Sequence, residues 1–508
     1  MSEDGLEHLT VGDKTIAIPT RLFINGQFVR GNGDKLPTIN PATEKHILMV
    51  DAGSKEDVHA AALAARECFE NEWGTNVTGT ERGRLLYKLA DEIEAIKDEL
   101  ALIESLNAGK PIEWCKFDIH DAVSCLRYYA GAADKIHGSS IEVDDPSIYA
   151  VTRKEPIGVC AQIIAWNYPI LLMAWKIAPA LASGCTIVLK PSELTPLTAL
   201  KIASLFPKVG YPAGVFNLVN GLGQSTGTYM SSHPDIDMIA FTGSTLVGRE
   251  IIRMSMESNL KKVSLELGGK SPNIIFEKAN LEEAAKWAAF GVFENTGQSC
   301  TAGSRILVQD SVYEKFLDLF IKATEAFQVG DPLDAKTFQG PQISKKQFER
   351  VMNYISIGKQ EGARVVTGGE RLGSLGYYIK PTIFVDVKTD MKIAEEEIFG
   401  PVAILLRFKT EEEAIMLANS TSYGLASAIH SSDVHQIHRV SRKLKAGTVW
   451  VNQYALLKAQ VPFGGEFILI MIQSGWGREL GMEGLNDYLT TKSVHYYYGE
   501  SLEWPVVT

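Results

Sequence analysis

A chain of 508 residues that is 45% hydrophobic and 22% charged has ordinary globular proportions, and its length predicts more than one domain. Its formal net charge of -11 argues against nucleic acid or an anionic membrane as partner, because an acidic surface is repelled by both. Six cysteines (Cys68, Cys115, Cys125, Cys160, Cys185, Cys300) form no CxxC pair and no dense framework, which excludes a disulfide scaffold and predicts reduced thiols in a cytoplasmic compartment. The N-terminus MSEDGLEHLTVGDK carries acids where a signal peptide needs bases. The longest dense apolar run, Phe467 to Ile472, is far shorter than the roughly 20 residues that span a bilayer.

From Lys55 to Ile136 the apolar residues recur at helical spacing, in VHAAALAARECFENEW, RGRLLYKLADEIEAIKDELALIESLNAG and DAVSCLRYYAGAADKI. After Gly158 the pattern changes. VCAQIIAWN, TIVLK, GVFNLV, MIAFTG and VSLELGG read as buried strands, separated by the helical stretches ILLMAWKIAPALASG, TPLTALKIASLFPKVG and TLVGREIIRMSME. That alternation predicts a parallel sheet with helices on both faces, which takes ligands at the carboxyl ends of its strands. A second strand and helix series follows SPNIIFE, with RILVQ, YIKPTIFVDV, VAILLRF and TVWVN as strands and EKFLDLFIKATEAF and EEEAIMLANST as helices. The expected class is therefore α/β, with two doubly wound domains.

Four places have the residue types that chemistry needs. MIAFTG runs into Gly243, Ser244 and Gly248, putting small residues and free N–H groups at a helix start where phosphate is favoured. The spacing is not GxGxxG, and an ordinary strand-to-helix turn explains it equally well. Lys190 and Glu193 follow the strand TIVLK, where an acid can bind ribose hydroxyls, or simply cap a loop. Cys300 stands among small and polar residues in FENTGQSCTAGS rather than in an apolar stripe, so it reads as exposed to a site. A helix N-terminus or a cationic neighbour is expected to stabilise its thiolate. Glu266 ends the apolar strand of VSLELGGKSP, where burial should raise its pKa toward that of a general base; a structural acceptor is the alternative. His435 and His438 in VHQIH have helical metal spacing but no third ligand, and no metal is expected. The run Glu411 to Glu413 reads as a helix N-terminus.

Taken together, these segments resemble the aldehyde dehydrogenase superfamily, in its broad-range NAD-linked class. LELGGKSP and FENTGQSCTAGS match the family's glutamate and cysteine signatures. AWNYP at Asn167, KPSE at Lys190 to Glu193, FTGSTLVG at Gly243 to Gly248, EEEIFGP at Glu397 to Phe399 and PFGG at Pro462 to Gly465 follow in the family's order. The resemblance runs from LFINGQFV to YLTTKSVH. It implies Cys300 as nucleophile, forming a thiohemiacetal whose oxyanion is held by the Asn167 amide and the Cys300 N–H, and Glu266 as activator of the water that hydrolyses the thioester. It implies NAD, with NADP as a lesser cofactor, bound by Ile164, Trp166, Lys190, Glu193, Gly223, Gly243, Ser244, Gly248, Gln347, Glu397 and Phe399. Tyr168, Met173, Trp175, Glu294, Leu457 and Phe463 would line the aldehyde tunnel, Glu294 and Leu457 standing where the broad-range enzymes commonly have aromatic residues.

The implied layout is a cofactor domain over residues 8–134 and 156–268, a catalytic domain over 269–485, and an oligomerisation arm over 135–155 and 486–500 that joins subunits into dimers or tetramers. The chain departs from the family after PFGG, where Glu466 and FILIMI precede QSGWGRE. This apolar, β-branched run is poor loop material and reads as an insertion packed on a neighbouring subunit or as a splice error, of which the second is preferred. Rival readings are a thiol hydrolase using Cys300 and Glu266, and a family member retained for binding or structure alone.

Overall fold

The computed structural model describes residues 5–12, 14–465 and 473–499, so the run Phe467 to Ile472 lies outside the described residues. The helical region forms as its periodicity predicts, as Lys55–Asn71, Gly79–Ala95, Lys97–Ala108 and Ile112–Ala132. Ser54 opens the first with a capping box, accepting from the Asp57 N–H while the Asp57 carboxylate accepts from its own at 2.8 Å. The long pattern ending at Gly109 is two helices instead of one. The break at Ile96 falls where neither Gly nor Pro marks it, so periodicity gives no warning.

The first sheet has the order Lys262–Glu266, Met238–Thr242, Val159–Ile163, Thr186–Lys190, Phe216–Leu218, Leu22–Ile24, Gln27–Val29. Its first five strands are parallel, as expected, and the short pair from the N-terminal region adds an antiparallel edge that the sequence reading did not include. Every residue of Val159–Ile163, Thr186–Lys190 and Met238–Thr242 is buried, the mark of strands covered on both faces. From Val159–Ile163 the chain winds outward through Thr186–Lys190 and Phe216–Leu218, then returns to Met238–Thr242 on the other side. The winding therefore reverses between Val159–Ile163 and Met238–Thr242, and a crevice opens at their carboxyl ends.

The second sheet has the order Arg364–Thr367, Thr382–Val385, Val402–Phe408, Arg305–Gln309, Pro272–Ile275, Ala426–His430, Thr448–Val451, all parallel except the first. Ala426–His430 was not anticipated: ASAIH is short and mostly small, yet it is wholly buried. Residues 473–478 run back along the first sheet, with Leu265 N–H donating to the Trp476 carbonyl (2.8 Å) and Leu267 N–H to that of Ser474 (3.0 Å). By packing, this stretch belongs with the first sheet, where chain order alone had counted it with the second. A third sheet pairs Ile148–Pro156 with Leu489–Tyr497 over its whole length and with Ser140–Ile141. Among the described residues no helix is long and apolar enough to cross a membrane.

Trp73 ties the helices to the first sheet. It is fully buried, donates from its indole to the Cys185 carbonyl at 3.2 Å, and packs on Tyr211 with centroids 5.6 Å apart. Trp73→Ala is expected to destabilise the fold by about 3–5 kcal/mol through the cavity left behind, measured as a shift of the urea unfolding midpoint.

Candidate active site

A cavity of about 830 Å³ lies between the two large sheets. Trp166 and Asn167 reach it from the loop after Val159–Ile163, Gly243 and Ser244 from the end of Met238–Thr242, and Glu266 from the end of its own strand. These are the carboxyl ends at the switch point. From the second half of the chain come Cys300, Gln347, Glu397 and Phe399. Tyr168, Trp175, Glu294, Leu457 and Phe463 complete the predicted residues on the wall. Met173, expected in the tunnel, is not on it. The cavity face of the helix Pro169–Ser183 runs through Leu171, Leu172 and Trp175, whereas Met173, one residue on from Leu172, turns about 100° away and is buried in the core.

The loop carrying Cys300 is bent by three successive left-handed residues, Asn295 (φ 48°), Thr296 (φ 62°) and Gly297 (φ 69°). Such conformations cost on the order of 1–3 kcal/mol each for a non-glycine residue and persist only when neighbours hold them. Asn295 donates to the Asn167 carbonyl (2.8 Å), Gln342 to the Thr296 carbonyl (3.1 Å), and the Gln298 side chain accepts from Ile343 N–H (3.0 Å). The Gln298 carbonyl in turn accepts the Asn167 amide at 3.0 Å, which fixes that amide's orientation; the Asn167 Oδ1 is buried without a partner. One amide hydrogen of Asn167 therefore remains for a ligand. Asn295, Gln298 and Gln342 were missed by sequence reasoning, and for the first two adjacency to Cys300 was the available signal.

Burial raises the Cys300 pKa, and the carboxyl groups of Glu266 and Glu397 push it further up, offset in part by the N–H groups of Cys300 and Thr301. No cation is among the main influences on it, so the surroundings favour the protonated thiol. Glu266 is 5% exposed with both oxygens lacking a partner, and burial, reinforced by Glu479, raises its pKa well above the carboxylate range against the pull of Lys176 and Arg478. Lys176 and Glu479 are themselves a buried ion pair. A Cβ on Gly464 would lie 2.7 Å from Glu266 Oε1, which gives the PFGG segment a reason for its glycine.

Glu397 accepts the Gly269 N–H at 2.8 Å, and burial pushes it up to about 7. Gln347 donates to the Phe399 carbonyl (2.7 Å), and Trp166 meets the Phe399 ring edge to face at 5.3 Å. Ser244 caps the helix Thr245–Ser258, accepting from Val247 N–H, and a Cβ on Gly248 would stand 2.8 Å from Leu267, so glycine lets this helix sit close on the sheet. Thr242, whose hydroxyl is buried without a partner, also lines the cavity and was not anticipated.

Ile164, Lys190, Glu193, Gly223 and Gly248 lie off the cavity wall. The first four group around the neighbouring strand ends. Ile164 donates its N–H to the Lys190 carbonyl (3.1 Å), and the buried Lys190 ammonium lies 3.6 Å from the half-exposed Glu193 carboxylate. Gly223 is exposed and opens a short π-helical turn whose last residue is Gly227, where a Cβ would stand 3.9 Å from Ile163 and 4.0 Å from Lys190. His435 and His438 are exposed on the helix Val434–Ser441, and Glu411 to Glu413 do begin a helix, Glu411–Ala418. Away from the cavity, His59, His233 and Asp235 come within ligand reach of one another.

A crevice between parallel sheets that presents a cysteine, an unpaired carboxyl and a fixed amide together defines a thiol enzyme. The chain belongs to the aldehyde dehydrogenase family, whose model matches residues 28–494. It is 53% identical to an aldehyde dehydrogenase of Emericella nidulans over 95% of this chain and 96% of that one, and 47% identical to aldehyde dehydrogenase 1A1 of Mesocricetus auratus over 94% of each. Among solved structures it is similar to betaine aldehyde dehydrogenase from Staphylococcus aureus in complex with NAD+, at 41% identity with a TM-score of 0.93 over 97% of each chain. An aldehyde dehydrogenase from Bacillus cereus matches at 48% identity with a TM-score of 0.92, covering 94% of this chain and 97% of that one.

A Cβ on Gly297 would lie 2.1 Å from the Gly400 carbonyl oxygen, whereas Gly210, also left-handed (φ 97°), has open space around it. Gly297→Ala is expected to lower kcat/KM by about 100-fold through displacement of Cys300, measured by steady-state kinetics; Gly210→Ala, which carries backbone strain but meets no neighbouring atom and lies off the cavity wall, is the control expected to keep kcat/KM.

Proposed function

We propose that this chain oxidises an aldehyde to the carboxylic acid with NAD as hydride acceptor, by way of a thiohemiacetal and then a thioester on Cys300. The carrying observation is that one cavity holds the Cys300 thiol, the partnerless Glu266 carboxyl and the half-engaged Asn167 amide. Cys300 attacks the aldehyde carbon, and its proton leaves to Glu266, the carboxyl that acts most strongly on it. The developing oxyanion meets the remaining Asn167 amide hydrogen and the Cys300 N–H, donors of a kind that contribute about 3 kcal/mol each. NAD, when bound, accepts the hydride that leaves the same carbon. Glu266 gives up that first proton to solvent, then takes one from the water that attacks the thioester and passes it to the departing Cys300 sulfur, which frees the acid and restores the thiol.

The residues present fit NAD. The first turn of the helix Thr245–Ser258 offers N–H groups to a pyrophosphate, and the unpartnered Thr242 hydroxyl lies in the same wall. Glu397, set by Gly269 and next to Phe399, suits a ribose; Lys190 and Glu193 suit the other ribose, with the Gly223–Gly227 turn beside Lys190. The Glu193 carboxylate repels a 2′-phosphate, which favours NAD over NADP while Lys190 still tolerates the latter. A thiol hydrolase has no use for Glu397, Glu193 or the Gly243 turn. Within this reading the cofactor domain comprises 8–134 and 156–268, the catalytic domain 269–485 apart from residues 473–478, which return to the first sheet, and the arm 135–155 and 486–500. The arm's outer face exposes Tyr149 (45%) and Tyr496 (47%), which supports its use in dimers or tetramers. A broad-range specificity and a cytoplasmic location complete the proposal.

Cys300→Ala is expected to abolish aldehyde-dependent NAD reduction, followed as absorbance of the reduced nicotinamide. Glu266→Gln, which removes both the acceptor of the Cys300 proton and the activator of the water, should slow the pre-steady-state burst and the steady state together. Because the folded pKa of Glu266 is raised, its base form is lost as pH falls through that raised value. The wild-type steady-state rate should therefore drop on the acid side well above the ordinary carboxylate pKa of about 4.3. Glu193→Ser should narrow the NAD to NADP ratio of kcat/KM by about tenfold or more, equivalent to removing about 1.4 kcal/mol of discrimination.

A further inference from the structure

Apart from Glu266 and Glu397, four carboxyl groups line the cavity: Asp118, Asp121, Glu283 and Glu294. Two are ion-paired with a base, and a third lies in the field of nearby bases without pairing. Asp118 is ion-paired with the buried Lys110, Glu283 accepts from Lys286 at 2.8 Å, and Asp121 sits in the fields of Lys458 and His120. Arg350, the remaining cation of the wall, donates to the Glu397 carbonyl at 2.8 Å. Glu294 has no ion pair among the described residues. Its Oε2 accepts the Tyr168 hydroxyl at 2.5 Å, and among the described residues no hydrogen bond engages Oε1. Lys110, the cation that acts on it, lies over the Tyr168 ring 3.7 Å from the centroid and is already taken by Asp118.

The backbone compounds this imbalance. Glu294 is the C-cap of the helix Leu281–Phe293, where the outward carbonyls carry partial negative charge, so an acid here is disfavoured and a cation is welcomed. The left-handed run Asn295 to Gly297 follows at once, so its backbone is held in place. The cavity wall that it shares is largely aromatic and apolar, with Trp114, Trp175, Phe290, Leu457 and Phe463. A neutral alkyl chain there leaves the carboxylate facing hydrocarbon, whereas an ammonium group supplies both the missing charge and N–H donors for Oε1.

We propose that Glu294, held by Tyr168, is a specificity-determining residue that receives a protonated amino group on the aldehyde, so that this chain prefers amino-aldehydes to neutral alkyl aldehydes of equal size. The inference rests on the cavity being the aldehyde site. The test measures kcat/KM, with NAD, for ω-amino aldehydes of graded length, each paired with the n-alkyl aldehyde of equal heavy-atom number, such as 3-aminopropanal with butanal. The expected ratio exceeds about tenfold for at least one pair, and in Glu294→Gln, which keeps an acceptor for Tyr168 but loses the charge, it collapses toward one, chiefly through KM. A merely structural role would lower both members of a pair together and leave the ratio intact. Ratios near one throughout the wild-type series, with Cys300-dependent turnover of the alkyl members, overturn the inference alone, as does a preference that survives Glu294→Gln. No Cys300-dependent turnover of either member overturns the reading of the cavity and the inference with it.

Discussion

The link between the two large sheets has to pass so close to the reactive cysteine that no side chain fits on it. Lys262–Glu266 closes the first sheet and Pro272–Ile275 enters the second, and the few residues between them touch both halves of the site. A Cβ on Gly268 would stand 2.6 Å from Glu397 Oε2, and one on Gly269 would stand 2.2 Å from the Cys300 carbonyl oxygen. The same Gly269 offers its N–H to Glu397. Backbone approach at this point therefore sets the spacing between the Glu266 carboxyl, the Cys300 loop and the Glu397 carboxylate. Lys270 follows, buried with its amine unpartnered and pushed down to about 7, and Arg305 clamps its carbonyl at 3.0 Å. Such costs are tolerated where the surrounding structure holds the geometry.

The site concentrates carboxyl groups in a place that disfavours their charge. Burial raises Glu266 and Glu397, and deeper in the same region it pushes Asp118 up to about 6 and Glu104 up to about 8. For Glu266 this is useful, since a base must hold a proton loosely near neutrality and release it to solvent or product. For Cys300 the same carboxyl groups oppose ionisation. In the proposed reaction the nucleophile would therefore form in the encounter, as its proton is removed, instead of being stored as a thiolate. Reactive thiols beside cations take the other route.

Much of the site was legible because short segments there combine unusual residue types with a strand end. Glu266 before two glycines, Cys300 among polar residues and the turn at Gly243 each break the surrounding apolar pattern. The parallel class was legible too, from fully apolar strands alternating with helices. Ala426–His430 was not, since a strand of small residues differs from a loop by what covers it and by nothing in its own pattern. Met173 was misplaced for a related reason: position in a motif says which turn of a helix is near the site, while the face is set by how the helix docks.

What the amino-acid order determined by itself was local: the strands and helices with strong periodicity, the chemical identity of the groups that react, and the glycines that permit close approach. The tertiary structure decided which of those groups meet. It brought Asn167 against Gln298, left Glu266 without a partner, placed no cation among the main influences on Cys300, and left Glu294 at a helix end with a single tyrosine hydroxyl among the described residues. These are properties of distance and burial between residues far apart in the chain. No local pattern encodes them, because desolvation and pairing depend on what other segments bring to the same place.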